Sequence, residues 1–371
     1  MTKAGAALRL FASSAPGLEP IARAEIHALG VTGALEVPGG VELTGDRALA
    51  LRMLFELRTV SHLLVRVATF RADRFDRLER EVRAIDWPLW LIPGVPRKLR
   101  ASAEKSRLYH TGAITERLAR WIGEALGDGE TSPSGEPLAI AARFVRDECT
   151  LSLDLSGEPL HRRGYRLDPG KAPLREDIAA ALVIASGWDG VSPLVDPMCG
   201  SGTIAIEAAM IGASVAPGLL RGFAIERTRL STSVEVESAR ATARTHRTSA
   251  PRIVASDRDP RAAERTKGNA ERAGVVLEVE ARPLSSVSSD GLEGASVVTN
   301  PPWGERLADH GARLDRLHGA LGDLVRRLGS THLALVAHDA RVARSVGLPL
   351  RSAFLTDAGG MKVRALVLDR R

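Results

Sequence analysis

The spacing of hydrophobic and polar residues divides the chain into two halves of different character. In the first half, short alternating runs such as Ala7–Ser13 and Ser61–Phe70 predict strands, and amphipathic stretches such as Glu19–Leu29 predict helices. Further strands are predicted at Gly40–Leu43, Lys98–Ser102, Pro137–Val145 and Glu148–Asp154, and further helices at Arg47–Leu57, Phe75–Arg83 and Thr115–Leu126. This order is typical of an α+β fold.

After residue 173 the pattern changes to strands that alternate regularly with helices. A helix over Leu174–Ser186 leads into a strand, a glycine turn and a helix over Thr203–Gly212. The predicted strands are Pro193–Pro197, Ile253–Asp257, Val276–Glu280, Ser296–Asn300 and Leu333–His338, followed by a terminal antiparallel pair, Ser352–Thr356 and Val363–Asp369. Such alternation predicts an α/β fold with a mostly parallel, doubly wound sheet.

Composition excludes several classes of protein. Of the 371 residues, 44% are hydrophobic and 26% are charged, which is ordinary for a globular protein that buries a core. The most apolar stretch, 48–70, is interrupted by charged side chains, and the N-terminus lacks the apolar core of a secretory signal. Two cysteines, Cys149 and Cys199, are too few for a disulfide framework or a metal cluster. We therefore expect a cytoplasmic protein with no membrane segment and no bound metal.

The formal net charge of +6 allows an acidic partner, and its distribution is more informative than its size. One basic cluster, within residues 97–120, includes Arg97, Lys98, Arg100, Lys105 and Arg107. A second, within residues 162–175, includes Arg162, Arg163, Arg166 and Arg175. Clusters of this kind can neutralise phosphates and release counterions, so they favour a nucleic-acid partner.

A glycine loop joins the first strand of the C-terminal half to the following helix. Gly200 and Gly202 let the backbone approach a ligand, and the helix that begins near Thr203 offers free N–H groups. The spacing also satisfies the dinucleotide motif G-x-G-x-x-A. Two features disfavour NAD. The next strand ends at Asp257, about 55 residues later instead of about 20, and Asp196 places a carboxylate where a pyrophosphate would be repelled.

Asp196 instead suits the ammonium and sulfonium groups of S-adenosylmethionine, and Asp257 is placed to accept hydrogen bonds from both ribose hydroxyls. The alternative for Asp257, and more so for Asp259, is that the carboxylate merely caps the next helix. Cys199 has no histidine near it in sequence to act as a base, so we do not predict a nucleophile there. Its place at a helix N-terminus nevertheless predicts a lowered thiol pKa.

The most specific motif, Asn300-Pro301-Pro302-Trp303, follows the strand predicted at 296–300. Two consecutive prolines fix φ and make a rigid loop. The Asn300 side-chain carbonyl and the Pro301 main-chain carbonyl would then accept both protons of one amino group and turn its lone pair towards a methyl donor. Trp303 would stack on the base, a contact worth about 1–3 kcal/mol in single-strand binders. The alternative is a plain turn that ends a strand.

Together, DPMCGSGT at 196–203 and NPPW at 300–303 resemble the class I amino-methyltransferases. The wider chain is similar to the THUMP-domain RNA guanine-N2 methyltransferases. That likeness rests on FASSAPGLE at 11–19, KLRASAEKSRLYHT at 98–111, LDLSGEPLHRRGYR at 153–166 and APLRE at 172–176. It covers nearly the whole chain in matching order and spacing.

The resemblance implies a ferredoxin-like domain at 1–60, a THUMP RNA-binding domain at 61–158, a linker at 159–173 and a Rossmann-like methyltransferase domain at 174–371. It implies methyl transfer from S-adenosylmethionine to the N2 amine of a guanine in tRNA or 23S rRNA, and we expect a monomer. The expected cofactor residues are Pro173, Leu174, Arg175, Asp196, Pro197, Met198, Cys199, Gly200, Ser201, Gly202, Thr203, Asp257 and Arg258. The expected RNA contacts are Arg97, Lys98, Arg100, Lys105, Ser106, Arg107, Tyr109, Arg162, Arg163 and Arg166.

Two departures from the family pattern bear on the chemistry. Trp303 stands where the family has Tyr, and Pro283 stands where an acid for the adenine amino group is expected. Other functions stay open: adenine-N6 and protein glutamine methyltransferases use the same kind of loop, and a non-catalytic RNA-binding factor would retain the fold. The THUMP-like half favours structured RNA. Intact Asp196, Asp257 and Asn300 disfavour a non-catalytic factor.

Overall fold

The structure, a computed structural model, describes residues 7–128, 135–167, 174–245, 250–302, 310–338 and 340–369. Within these ranges the chain forms two seven-stranded sheets, each with its own helices. This arrangement confirms the predicted α+β N-terminal half and α/β C-terminal half. None of the helices in the described ranges is long and apolar enough to cross a membrane.

The first sheet lies in the N-terminal half and is continuous. Its strands are β1 (Leu8–Ser14), β2 (Leu35–Val37), β3 (Gly40–Gly45), β4 (Val60–Arg71), β5 (Arg97–Glu104), β6 (Leu138–Val145) and β7 (Glu148–Asp154). They lie in the order β2-β3-β1-β4-β7-β6-β5, antiparallel except for the β5–β6 pair. Because β4 pairs with both β1 and β7, the domain boundary predicted at residue 60 falls at the start of a strand that both units share.

The helices of this half pack against one face of the first sheet. They are α1 (Glu19–Ala28), α2 (Arg47–Glu56), α3 (Phe75–Arg83) and α4 (Thr111–Leu126). Alternate strand residues such as Leu10, Leu63 and Leu151 join the helix residues Ile26 and Leu118 in one buried core. The intervening strand residues point to the opposite face, because successive side chains of a strand alternate in direction.

The second sheet belongs to the C-terminal half. Its strands are β8 (Leu194–Asp196), β9 (Ile253–Asp257), β10 (Glu278–Ala281), β11 (Ser296–Thr299), β12 (Leu333–Ala337), β13 (Leu350–Ala358) and β14 (Met361–Leu368). Its helices are α5 (Glu176–Ala185), α6 (Thr203–Gly212), α7 (Ser233–Thr245), α8 (Pro260–Ala273), α9 (His310–Arg327) and α10 (Ala340–Val346). The order is β10-β9-β8-β11-β12-β14-β13, parallel over the first five strands and ending in the predicted antiparallel hairpin.

A reversal in the strand order of the second sheet positions the site. From β8 the chain moves outward through β9 and β10, and then returns to β11 on the other side of β8. Ligands of open parallel sheets bind beyond the carboxyl ends of the strands at such a reversal. Asp196 and Asp257 end β8 and β9, and Asn300 directly follows β11, so these three side chains share one edge.

The described part of the predicted linker, residues 159–167, is packed between the two halves. Tyr165 is fully buried and Arg163 is 1% exposed. The Arg163 guanidinium lies 3.4 Å from the Glu207 carboxylate of α6 and donates to the Arg58 carbonyl, which lies just before β4. Tyr165 donates to the same carboxylate at 3.2 Å. One buried acid of the second half therefore binds side chains that also contact the first half.

Differences from the predicted elements lie mainly at their ends. The sequence did not predict β2, because a strand of three residues is too short for alternation to be visible. The strand predicted from Val276 begins at Glu278, since α8 ends at Gly274 in the left-handed conformation and the Val275 N–H still bonds to the Ala270 carbonyl of that helix.

Replacing Arg163 with Ala leaves the buried Glu207 carboxylate without its cation. Because loss of one partner of a buried pair costs about 3–5 kcal/mol, we expect a clearly lower free energy of unfolding in urea titrations. Arg162→Ala is the matched control, since Arg162 is exposed and pairs with Glu158 at the surface. Its effect should stay within about 0.5 kcal/mol. Equal destabilisation by both substitutions would contradict the role given to Arg163.

Candidate active site

The two glycines of the loop after β8 have different tasks. Gly200 and Gly202 adopt φ values of +57° and +82°, in the region that favours glycine. A Cβ on Gly202 would lie 2.6 Å from Thr266 of α8, whereas nothing lies within 4 Å of a Cβ on Gly200. Gly202 therefore allows α8 to pack against the loop, and Gly200 leaves open space for a ligand beside it.

Two side chains of α8 that sequence reasoning missed hold the loop from behind. Thr266 Oγ1 donates to the Gly200 carbonyl at 3.2 Å, and Asn269 Nδ2 donates to the Ser201 carbonyl at 2.9 Å. Thr266 and Asn269 are both fully buried. Their signal in the sequence is a pair of polar residues within the alanine-rich buried stripe of an amphipathic helix. A polar residue in such a stripe indicates a hydrogen bond that holds a neighbouring element.

Asp196 is a buried carboxylate at the end of β8, with 1% of its surface exposed. Its Oδ1 accepts hydrogen bonds from Thr299 Oγ1 of β11 at 2.7 Å and from the Met198 N–H at 3.3 Å. Burial raises the pKa of Asp196 to about 7, and these two hydrogen bonds oppose the rise. It forms no ion pair within the described part of the chain. A buried carboxylate of this kind fits a cationic group of a ligand.

Asp257 faces the glycine loop from the end of β9. Its Oδ2 accepts from the Gly200 N–H at 3.0 Å, and its Oδ1 accepts from the Asp259 N–H at 2.9 Å. The residue that caps α8 is Asp259, whose carboxylate accepts from the Arg261 N–H at 3.0 Å. The capping alternative thus holds for Asp259, whereas Asp257 is half-buried beside the loop, where we keep it as the expected ribose ligand.

Asn300 directly follows Thr299, the residue that binds Asp196. Its Oδ1 atom is buried and has no hydrogen-bond partner among the described residues. Pro301 is buried and Pro302 is exposed, and Trp303 lies outside the described residues. A buried oxygen without a partner lowers stability unless a donor reaches it. Asn300 Oδ1 is therefore suited to accept a proton from an amino group.

Arg166 connects the segment before α5 to the start of α6. Its Nη1 donates to the Leu174 carbonyl at 3.0 Å and to Thr203 Oγ1 at 3.4 Å, and its Nη2 lies 2.5 Å from Glu176 Oε2. Only 12% of its side chain is exposed, so its predicted contact with RNA is corrected. Arg166 instead holds Leu174 against the helix that begins at the glycine loop.

Arg175, a predicted cofactor residue, is directed towards the first sheet. Its guanidinium binds Asp177 at 2.5 Å and donates to Ser61 Oγ of β4 at 3.0 Å. Of the other predicted cofactor residues, Pro197, Ser201 and Thr203 are buried, Met198 is half-buried, Arg258 is exposed and Pro173 lies outside the described residues. The structure thus brings the loop residues together with Asp257 and leaves Arg175 and Arg258 at the margin.

Cys199 is buried in the wall of the loop, with its Sγ 3.5 Å from Thr266 Oγ1. Burial raises the pKa of its thiol well above the ordinary value, and the nearby Asp196 carboxylate raises the pKa further. The lowered thiol pKa expected from the helix N-terminus is therefore wrong, because desolvation of the thiolate outweighs the helix dipole. Cys199 packs here as a small apolar group.

Most of the first predicted RNA cluster lies at the surface, on β5 and in the loop after it. The exposed members are Lys98, Arg100, Lys105, Arg107 and Tyr109. Ser106 is half-buried and shapes the loop, because its hydroxyl donates to the Glu104 carbonyl at 2.9 Å and accepts from the Asp147 N–H at 3.0 Å. Arg97 is turned inward by an ion pair with Asp128.

The second predicted RNA cluster divides between surface and interior. Arg162 is exposed, whereas Arg163 is buried in its ion pair with Glu207 and cannot reach a phosphate. We therefore remove Arg163 from the RNA-binding set. Adjacent arginines look alike in sequence, and only the position of Glu207 on α6 separates their environments.

The described residues fit S-adenosylmethionine, the cofactor of this fold. The open space at Gly200 admits the ligand, the buried Asp196 carboxylate matches its ammonium, and Asp257 is placed for its ribose. No acid follows β10, where Arg282 and Pro283 stand instead. Within the described ranges no group of His, Cys, Asp and Glu residues is arranged to hold a metal ion.

The raised pKa of Asp196 makes cofactor affinity depend on pH. Without ligand the carboxyl is largely protonated below its pKa of about 7, and an ammonium favours the ionised form. Affinity should therefore rise with pH up to about 7, by at most about tenfold per pH unit, and then level off. Calorimetry with S-adenosylhomocysteine from about pH 5.5 to about pH 8.5, a range that brackets the Asp196 pKa of about 7, measures both the rise and the plateau. Asp196→Asn should bind more weakly with a flat profile; the same slope in both proteins would refute the role of Asp196.

Comparison with known proteins agrees with this site. A sequence model described as "RMKL-like, methyltransferase domain" matches residues 163–347, and one described as "RlmL ferredoxin-like domain" matches residues 9–64. The Ribosomal RNA large subunit methyltransferase K/L of Syntrophotalea carbinolica is 32% identical in an alignment of 384 positions, which covers 98% of this chain and 54% of that protein. The chain thus spans about half the length of this curated relative.

Solved structures resemble the chain over its whole length. A protein designated SMU.472, crystallised with SAH, is 26% identical, with a TM-score of 0.87 and coverage of 98% of both chains. A predicted N6-adenine-specific DNA methylase from Listeria monocytogenes is 28% identical, with a TM-score of 0.86 and coverage of 97% of this chain and 96% of that one. With its N-terminal ferredoxin-like domain and its glycine loop beside Asp196, this chain belongs to the RMKL-like methyltransferase family.

Proposed function

We propose that the chain transfers a methyl group from S-adenosylmethionine to the exocyclic N2 amine of a guanine in structured RNA. The observation that carries the proposal is the buried Oδ1 of Asn300, which has no hydrogen-bond partner among the residues that the structure describes. Asn300 follows the residue whose hydroxyl binds Asp196 at 2.7 Å, so the acceptor for an amine lies beside the cofactor loop. Such an acceptor needs a substrate that presents an N–H donor.

The residues act by positioning and not by strong base catalysis. Asn300 Oδ1 and the Pro301 carbonyl accept the two protons of the amine, which turns the nitrogen lone pair away from conjugation with the ring. Pro301 and Pro302 restrict the loop, so little freedom is lost when the base binds. The bound cofactor supplies the electrophilic methyl group. The target base must leave its stack to reach this edge, at a cost of a few kcal/mol.

RNA as the substrate class is supported by the N-terminal half. Lys105, Arg107 and Tyr109 form an exposed basic loop after β5, and the Tyr109 ring lies 4.1 Å from the His110 ring. Exposed aromatic and basic residues stack on unpaired bases and neutralise phosphates. The ribosomal relative favours 23S rRNA, while tRNA stays the second choice. We expect the protein in the cytoplasm, where both RNAs are available. We also propose that residues 61–158 are a THUMP domain.

Adenine-N6 transfer is the second candidate, favoured by the name of the Listeria relative. An adenine amine presents the same two protons to Asn300, so the tetrad does not distinguish the bases. The N-terminal half favours RNA for either base.

The identity of the product tests the proposal directly. Purified protein, radiolabelled S-adenosylmethionine and separate 23S rRNA and tRNA pools from a strain lacking the gene would be incubated, digested to nucleosides and analysed by mass spectrometry. We expect N2-methylguanosine. N6-methyladenosine would favour the second candidate, and no methylated nucleoside in either pool would refute both.

Asn300→Ala should abolish methyl transfer, because the amine loses its side-chain acceptor. We expect a fall in turnover of about 10³-fold or more, as for removal of one polarising group in an active site, with cofactor and RNA affinities within about threefold of the original. Asp259→Ala is the matched control, since Asp259 caps α8 on the same edge without facing the loop. Substantial turnover in the Asn300 variant would overturn the assignment.

A further inference from the structure

The face of the first sheet opposite its helices is exposed on β1, β5 and the end of β6, whereas Ser152 and Asp154 of β7 on the same face are buried. We call it the open face and define it by Arg9 and Phe11 on β1, Arg66 on β4, Arg143 on β6, and Lys98 and Arg100 on β5. Arg9, Arg143, Lys98 and Arg100 are exposed, and Phe11 and Arg66 are half-buried. The residues that alternate with these along the same strands point to the other face, where they form the buried core with the helices.

Three guanidinium groups lie close together on the open face. Burial lowers the pKa of Arg66, Glu42 opposes this fall, and Arg9 and Arg143 lower the pKa further by repulsion. Glu42 binds Arg66 at 2.7 Å. Neither Arg9 nor Arg143 forms an ion pair within the described ranges. Glu42 neutralises one of these three charges, and an anionic ligand would reduce the repulsion that remains.

The strand register places small residues between two arginines of the open face. Arg66 pairs across the strands with Ser152, Ser152 with Ala141, and Ala141 with Arg100, so two small residues separate two arginines. Three strand spacings of about 4.8 Å put the arginine-bearing strands roughly 14 Å apart. That span suits one nucleic-acid strand better than a double helix.

The open face lies between the basic loop and the start of α5 in the second half. At one end of β4, Ser61 binds Asp177 and Arg175 of the second half. At the other end, the Ala72 N–H bonds to the Asp147 carbonyl, and Asp147 also accepts from the Arg107 N–H at 2.7 Å. At about 3.3 Å per residue, β4 spans roughly 35 Å between these ends.

An aromatic side chain, Phe11 of β1, lies half-buried among these basic residues, and Arg66, whose side chain is 12% exposed and paired with Glu42, covers one side of its ring. The Arg66 guanidinium is 4.6 Å from the centroid of the Phe11 ring. Unpaired RNA bases stack on aromatic rings and on guanidinium planes. Phosphate-binding and base-stacking groups thus occur together on one face.

We propose that the open face binds a single-stranded segment of the RNA substrate that extends from the Lys105–Tyr109 loop towards the methyltransferase sheet. This inference rests on the proposed function for its choice of RNA. It assigns binding to Arg9, Phe11 and Arg143, which lie outside both basic clusters of the sequence.

The test compares two double variants of equal charge. Arg9→Gln with Arg143→Gln alters the open face, and Arg80→Gln with Arg120→Gln removes the same charge from exposed positions on α3 and α4. Binding of a fluorescein-labelled, 20-nucleotide single-stranded RNA of mixed sequence is measured by anisotropy from 50 to 200 mM salt, and melting curves verify folding. The first pair should reduce the slope of log affinity against log salt by about 1.4, at about 0.7 per phosphate contact, and weaken binding about tenfold.

The second pair should leave both quantities near those of the original protein. Equal losses in the two pairs, or no loss in the first, would overturn the proposal. An equal loss for a fully paired hairpin RNA would overturn the choice of a single strand. Because this assay needs no methyl transfer, its result does not depend on whether the product is methylguanosine.

Photocrosslinking locates the RNA independently of charge. The same RNA with 4-thiouridine should crosslink to the tryptic peptide that begins at Leu10 and contains Phe11. Crosslinks confined to the Lys105–Tyr109 loop would overturn the proposal.

Discussion

The hydrogen bond from Thr299 to Asp196 is the interaction on which the site depends. It joins the ends of β8 and β11, the neighbouring strands at which the order of strands along the second sheet reverses. It also holds a carboxyl that burial pushes towards its neutral form and that a cationic ligand would ionise. Because Asn300 is the next residue after Thr299, this bond holds Asn300 close to Asp196, the two residues for which we propose roles in binding the amine and the cofactor.

A second buried group fixes the two halves relative to each other. Arg163 and Tyr165 bind Glu207 on α6, and Arg58 donates to the Val215 carbonyl at 2.7 Å. Since α6 begins at the glycine loop, the N-terminal half is attached to the same helix that presents the cofactor loop. A charge network of this kind is costly to bury, and loss of one member leaves its partner as an unpaired buried charge. The network therefore ties the first half of the chain to α6.

The arginines of the first half differ in whether an acid pairs with them. On the helix face, Arg83 binds Glu79 and Glu124. On the open face, Arg66 binds Glu42, whereas Arg9 and Arg143 have no acid partner within the described ranges. Net charge does not reveal this difference, because both kinds of arginine contribute equally to it. Whether an arginine has an acidic partner therefore distinguishes a charge that stabilises the fold from a charge that is available to a ligand.

The sequence alone determined the two fold classes, the glycine loop and the edge on which Asp196, Asp257 and Asn300 meet. These features follow from local patterns: alternation, glycine spacing, and polar residues at strand ends. The tertiary structure decided the environment of each charge. Arg163 is buried against Glu207 of α6, and Arg166 pairs with Glu176 of α5. Burial raises the pKa of the Cys199 thiol, which the helix N-terminus was expected to lower. Three different strands bring Arg9, Arg66 and Arg143 close together. Desolvation and pairing depend on residues that are distant in the chain, so no local pattern contains them.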